Sequence, residues 1–136
     1  NETPNSPQAI LEPNQPQVEV QLQNAATRLN DALFEAVVTV TVTAKSGDKT
    51  LFLVEAAQAG IFQIQNVPAA DLEPILGIVC PNILFPYIRQ TVSDVVVKGG
   101  FPPFLLPHVN FDALFERSLQ EQASRAAGQP APEQTN

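Results

Sequence analysis

Phe34-Glu35-Ala36-Val37-Val38-Thr39-Val40-Thr41-Val42-Thr43 is the stretch on which the fold turns. Its β-branched side chains are stiff at χ1, which makes a poor helix and a good pleated surface. Successive side chains of a strand point to opposite faces, so Val38, Val40 and Val42 share one face while Val37, Thr39, Thr41 and Thr43 share the other.

Upstream, Val18, Val20 and Leu22 alternate with Glu19, Gln21 and Gln23, the pattern of a half-buried strand. Before it, Pro4, Pro7, Pro13 and Pro16 forbid a helix over Asn1 to Gln17 and favour an extended lead-in. Asn24 to Ala32 is expected to be a long loop. Downstream, Ser46-Gly47-Asp48-Lys49 has turn chemistry and Thr50 to Ala59 resumes an extended pattern, which together predict a hairpin. Gly60 separates this run from Ile61-Phe62-Gln63-Ile64. The expectation is a four-stranded antiparallel meander with a long loop after its first strand.

From Asp71 the apolar period lengthens. Leu72, Ile75, Leu76 and Val79 suit a short helix that Pro81 breaks, with Asn82 capping a longer one. In that longer helix Ile83, Leu84, Tyr87, Ile88, Thr91, Val92, Val95 and Val96 recur at spacings of three and four, an apolar arc wide enough to bury two sides. Gly99-Gly100 is expected to end it. Phe101-Pro102-Pro103-Phe104-Leu105-Leu106-Pro107 is neither helix nor central strand and must lie as an apolar loop on something. A last helix starts near Asn110, with Asp112 in its first turn and Phe111, Leu114, Phe115 and Leu119 as its apolar stripe. Residues 1–119 read as one domain, and 120–136, rich in Ala, Gln and Pro, as a disordered tail.

Composition narrows the function. With 136 residues, 44 % hydrophobic and 15 % charged, the chain can bury a core of ordinary size, and no uninterrupted apolar run reaches a membrane span. Seven basic residues scattered among fourteen acidic ones, net charge -7, argue against nucleic acid and for a basic partner. A first residue other than Met, and no Met anywhere, suggest a trimmed product, and no export signal opens the chain.

Catalytic groups are sparse. His108 sits between Pro107 and Val109 with no nucleophile or orienting group nominated by any pattern, and reads as a packed or capping imidazole. Cys80, placed by this reading at a helix start, reads as a small apolar core residue. One His and one Cys cannot build an ordinary zinc site, and Gly99-Gly100 lacks the spacing of a phosphate loop. Glu19, Glu35 and Glu55 are spread singly over strands and suit a solvated sheet face. The chain is therefore read as no enzyme, with no cofactor and no metal.

Several motifs nevertheless occur in a telling order. Cys80-Pro81-Asn82-Ile83-Leu84-Phe85-Pro86-Tyr87, Gly99-Gly100-Phe101-Pro102-Pro103 and Val109-Asn110-Phe111-Asp112-Ala113-Leu114-Phe115 resemble consecutive signatures of the SecB family of bacterial protein-export chaperones, as do Ala59-Gly60-Ile61-Phe62 and Pro4-Asn5-Ser6-Pro7. The resemblance covers about Glu2 to Leu119. It implies an α+β fold with helices on one face of the sheet, assembled as a homotetramer, a dimer of dimers. It also implies a cytoplasmic holdase that binds unfolded preproteins and passes them to SecA, with no membrane insertion. The alternative is a SecB-like subunit serving another system, such as toxin–antitoxin control, which would keep the client groove and lose the SecA surface.

Carried over position by position, the resemblance places SecA binding at Glu2, Leu53 and Glu55, where a basic, zinc-bearing tail of the motor would meet carboxylates. It places the client groove between Val18, Val20, Leu22 and Leu29 on one side and Phe111, Phe115 and Leu119 on the other. The oligomer interface falls on the long helix, at Tyr87, Ile88, Thr91, Val92 and Val95.

Overall fold

A computed structural model describes residues 16–128. Three antiparallel strands in the order β1-β2-β3 form one sheet: β1 (Gln17–Arg28), β2 (Leu33–Ser46) and β3 (Lys49–Gln63). The alternation read in β2 holds along its length. Phe34, Ala36, Val38, Val40, Val42 and Ala44 are buried, while Glu35, Val37, Thr39, Thr41 and Thr43 are only partly covered.

The β2–β3 hairpin turns through Gly47 and Asp48, with Ser46 paired to Lys49. Gly47 has φ +61, the left-handed value that a two-residue hairpin needs at its first central position and that a side chain would oppose.

Two strand expectations are corrected. The loop foreseen over Asn24 to Ala32 is mostly strand: β1 runs to Arg28, with Ala25 opposite Val37 and Thr27 opposite Glu35. Pairing to β2 overrides the weak β-propensity of Asn24, Ala25 and Ala26. The reversal is confined to Leu29–Ala32, where Asn30 Oδ1 accepts hydrogen bonds from the Ala32 N–H at 2.8 Å and the Leu33 N–H at 2.9 Å. The third and fourth strands expected on either side of Gly60 are one continuous β3, so the described residues contain three strands, not four. Gly60 marks a close approach instead of a break: a Cβ there would lie 2.8 Å from Leu84 Cδ2.

The helices begin with α1 (Ala69–Pro74), pass through a π-helical turn (Ile75–Val79) and continue without interruption into α2 (Cys80–Lys98). The break expected at Pro81 is therefore absent, Cys80 is not at a free helix start, and Asn82 caps nothing. Proline lacks an N–H and crowds the carbonyl four residues before it. Here the Cys80 N–H bonds the Ile75 carbonyl five residues back, so the ladder widens just ahead of Pro81.

At its other end α2 stops as expected. Gly100 takes φ +90, the Phe101 N–H bonds the Val96 carbonyl at 3.2 Å and the Gly100 N–H bonds the Val97 carbonyl at 2.9 Å. That is a Schellman closure, and only glycine enters its left-handed position without strain.

The core lies between the sheet and α2. Leu84, Ile88, Val92 and Val96 recur every four residues and pack with Val38, Val40, Val42, Val54 and Ala56. The helical run Ala69–Lys98 is long and apolar enough to cross a membrane, with mean hydropathy 1.2 over its most apolar 18 residues. In this fold its inner side covers a sheet. The proline-rich loop after α2 closes the core from the side: Leu106 is fully buried, Phe101 packs on Phe52 with ring centroids 4.9 Å apart, and Phe85 meets Phe111 edge-on at 5.7 Å.

Helix α3 (Phe111–Gly128) starts where Asn110 caps it, the Ala113 N–H bonding Asn110 Oδ1 at 3.0 Å. It continues past Leu119, so residues 120–128 are helical where a disordered tail was expected; the remainder of that tail lies outside the described residues. Good helix formers such as Glu121, Gln122 and Ala123 sustain it.

Candidate client groove and sheet surface

Helix α2 covers β2 and β3, and β1 is left largely uncovered. Directly paired residues share a face, so Val18 opposite Ala44, Val20 opposite Val42 and Leu22 opposite Val40 all point to the helix side. Yet Val18 is 43 % and Val20 40 % exposed, whereas Val40 and Val42 are fully buried. A strip of apolar strand thus runs toward the π-helical turn and α3 with no layer over it among the described residues.

Phe115 is the residue around which this strip deepens. A depression of about 330 Å³ is lined by Leu22, Asn24, Gly77, Phe111, Leu114, Phe115 and Ser118. A second, of about 470 Å³, lies between Asn24, Ala25 and Ala26 of β1, Glu73, Leu76 and Gly77 of the helical run, and Phe115 and Gln122 of α3. A third, of about 270 Å³, includes Phe115 and Leu119 against Ala69, Ala70, Glu73 and Pro74. The first and third depressions are walled mainly by apolar side chains, and the second mixes Ala25, Ala26, Leu76 and Phe115 with the polar Asn24, Glu73 and Gln122, a lining that suits apolar side chains of an extended segment with polar groups beside them.

Of the seven groove residues named from the sequence, Leu22, Phe111, Phe115 and Leu119 border these depressions. Phe111 is almost wholly buried and acts as core as much as wall. Val18 and Val20 lie further along the same strand face and line none of them. Leu29 sits in the β1–β2 turn at the other end.

The sequence reading missed Gly77, whose place is set by a partner more than thirty residues away. A Cβ on Gly77 would stand 2.6 Å from Phe115 Cδ1. Glycine inside a helix costs about 1 kcal/mol relative to alanine, so a helical glycine facing a ring this closely marks a contact that needs the space.

Among the described residues, no helix lies on the opposite face of the sheet. Glu19, Thr43 and Leu53 form one cross-strand row, and Gln21, Thr41 and Glu55 the next. Leu53 is 62 % exposed and Glu55 is also exposed, with Glu35 on the same face. Glu2 lies outside the described residues.

The residues named for an oligomer interface divide in two. Ile88 and Val92 are fully buried against their own sheet and are unavailable to another copy, because they share one face of α2 with Leu84 and Val96, the face packed on Val38, Val40 and Val42. Tyr87, at 59 % exposure, Thr91 and Val95 face outward, in line with exposed Val79 and Ile83. The Thr91 hydroxyl donates to the Tyr87 carbonyl at 3.0 Å, which satisfies its polar group within the helix.

Chemistry elsewhere is plain. Cys80 is buried and its thiol pKa is pushed up by that burial, the reverse of nucleophile activation. His108 is exposed. Among the described residues no group of three or more His, Cys, Asp or Glu side chains is placed to hold a metal ion.

Comparison with known proteins places the chain. The family model described as preprotein translocase subunit SecB matches residues 1–122. Protein-export protein SecB of Chromobacterium violaceum is 57 % identical over 122 residues, covering 90 % of this chain and 81 % of the relative. The protein of the same name from Dechloromonas aromatica is 54 % identical over 129 residues, covering 95 % and 85 %. Among solved structures, a SecB-like chaperone of Mycobacterium tuberculosis, in complex with a peptide from an antitoxin, aligns with TM-score 0.61 at 15 % identity over 71 % of this chain and 74 % of that one, a likeness of fold.

Proposed function

The chain belongs to the SecB family, and from that membership we propose that this protein-export chaperone is an ATP-independent holdase that keeps unfolded preproteins from aggregating in the bacterial cytoplasm and hands them to SecA. The observation that carries the proposal is the pair of Phe115 depressions bordered by Leu22, Asn24, Ala25 and Ala26 of β1, with the exposed Val18 and Val20 further along the same strand. Each apolar client side chain that leaves water there contributes about 25 cal/mol per Å² buried, with little demand on sequence. Holding of this kind lowers the free unfolded population by mass action and consumes no nucleotide.

The open sheet face supports the division of labour. Leu53 and Glu55 lie on it, and Glu19 extends the carboxylate surface, so a basic segment of SecA would be steered there without touching the groove. This face favours export over service to a toxin–antitoxin pair, for which the acidic surface would have no use. The outward stripe of Tyr87, Thr91 and Val95 is the part of α2 that would meet other copies in a homotetramer.

Replacing Phe115 by Asp tests the groove. The variant should raise light scattering of a slow-folding client several-fold, while native mass measurement still returns four copies. Unchanged scattering would remove the groove from the account, and a monomer would remove the assembly.

A further inference from the structure

Gly77 is the one glycine of the helical run 69–98, and it lies in the π-helical turn. A methyl group there would meet the Phe115 ring at 2.6 Å and 2.9 Å, so the ring rests directly against the turn. Asn24, Gly77 and Phe115 border both the depression shared with Leu22 and Leu114 and the depression shared with Ala26 and Leu76. The ring stands between them.

We propose that Gly77 is a positioning residue for client selection: it seats the Phe115 ring as a partition, and the groove takes two large apolar side chains of an extended client, two residues apart, one on each side of the ring. The inference rests on the holdase reading above and adds a spacing rule to it. Carbon atoms pack at about 3.5–4.0 Å, so groups touching opposite sides of one ring stand roughly 7–8 Å apart. An extended chain rises about 3.2–3.4 Å per residue, which sets side chains i and i+2 on the same side at roughly 6.4–6.8 Å. Adjacent residues point to opposite sides, and only one of them enters. The partition therefore reads alternation in a client, a property of strand-forming segments that are unpaired before folding.

The added methyl of Gly77→Ala is opposed by a side chain, which can swing, and not by backbone; the expected result is a displaced ring in a folded protein. Two unstructured peptides of identical composition serve as probes, one with Phe and Leu separated by a single polar residue and one with Phe and Leu adjacent. Fluorescence anisotropy gives the affinity of each for the native protein, for Gly77→Ala and for Phe115→Ala, which deletes the partition outright. The native protein should prefer the alternating peptide about tenfold. Both variants should bring that ratio to about twofold or less while still binding. Equal binding of the two peptides by the native protein overturns the partition, as does a ratio that survives in both variants or a loss that weakens both peptides alike. Binding of neither peptide by the native protein overturns the holdase reading itself, and the two failures are thereby told apart.

Discussion

β1 and β2 carry the same alternation and share one face, yet they have opposite fates. Val42 is sealed beneath α2, and Val20, its direct partner across the ladder, is 40 % exposed. The difference lies in the width of sheet that one helix can roof: strands stand about 4.8 Å apart and a helix is about 10 Å across, so α2 covers β2 and β3 and leaves β1 beyond its edge. Helix α2 lies over β2 and β3, while the π-helical turn touches β1 and α3 faces it across the Phe115 depressions. Periodicity in a strand tells which side chains share a face; it does not tell whether anything covers that face. In this chain the proposed client groove falls beside the uncovered part.

That contrast can be broken most severely at its buried end. Val42→Asp would set a carboxylate among apolar side chains with no partner, a cost of several kcal/mol against a total stability of about 5–15 kcal/mol. The variant should be unfolded by circular dichroism at 37 °C. A cooperative melt near that of the native protein would mean that the core is not where it is placed here.

Next in size is the contrast between the two faces of the sheet. Glu55→Lys should weaken SecA binding about tenfold at low salt, less so at high salt, and leave client holding nearly intact. Equal loss in a pull-down and in an aggregation assay would refute the separation of surfaces.

A smaller effect belongs to Cys80. Burial raises its thiol pKa in the folded chain, so below the ordinary thiol range the group is neutral in both states. As pH rises through that range the unfolded chain ionises first, and the stability present at neutral pH is progressively lost. Denaturant midpoints measured from pH 7 to pH 10 should fall in the native protein more than in Cys80→Ala.

Val20→Asp should move stability least, by about 1 kcal/mol or less, since its carboxylate reaches water. A loss comparable to that of Val42→Asp would show that something covers the strip.

Much of this architecture was legible in the sequence, because the decisive signals were local. The Val-Thr alternation of β2, the Gly47 turn, the Gly99-Gly100 closure and the Asn110 cap each depend on residues within a few positions of one another. What misled was punctuation whose reason lies across the fold. Gly60 looks like a strand break until Leu84 is seen packing on it, and Pro81 looks like a helix break until the π-helical turn opens ahead of it. Ile88 and Val92 share an apolar arc with Tyr87 and Val95, and the sequence has no means of saying which part of the arc the sheet claims. Phe115 was readable as a stripe residue; its seat on Gly77 was not, for no spacing rule connects them.

Methyl-labelled NMR tests the central claim most directly. On addition of an unfolded, slow-folding client, the methyl resonances of Leu22, Leu114 and Val20 should shift or broaden, while those of Val38 and Val40 beneath α2 and of Leu53 on the opposite face stay in place. Shifts centred on Leu53, with the Leu22 and Leu114 signals unmoved, would contradict the account.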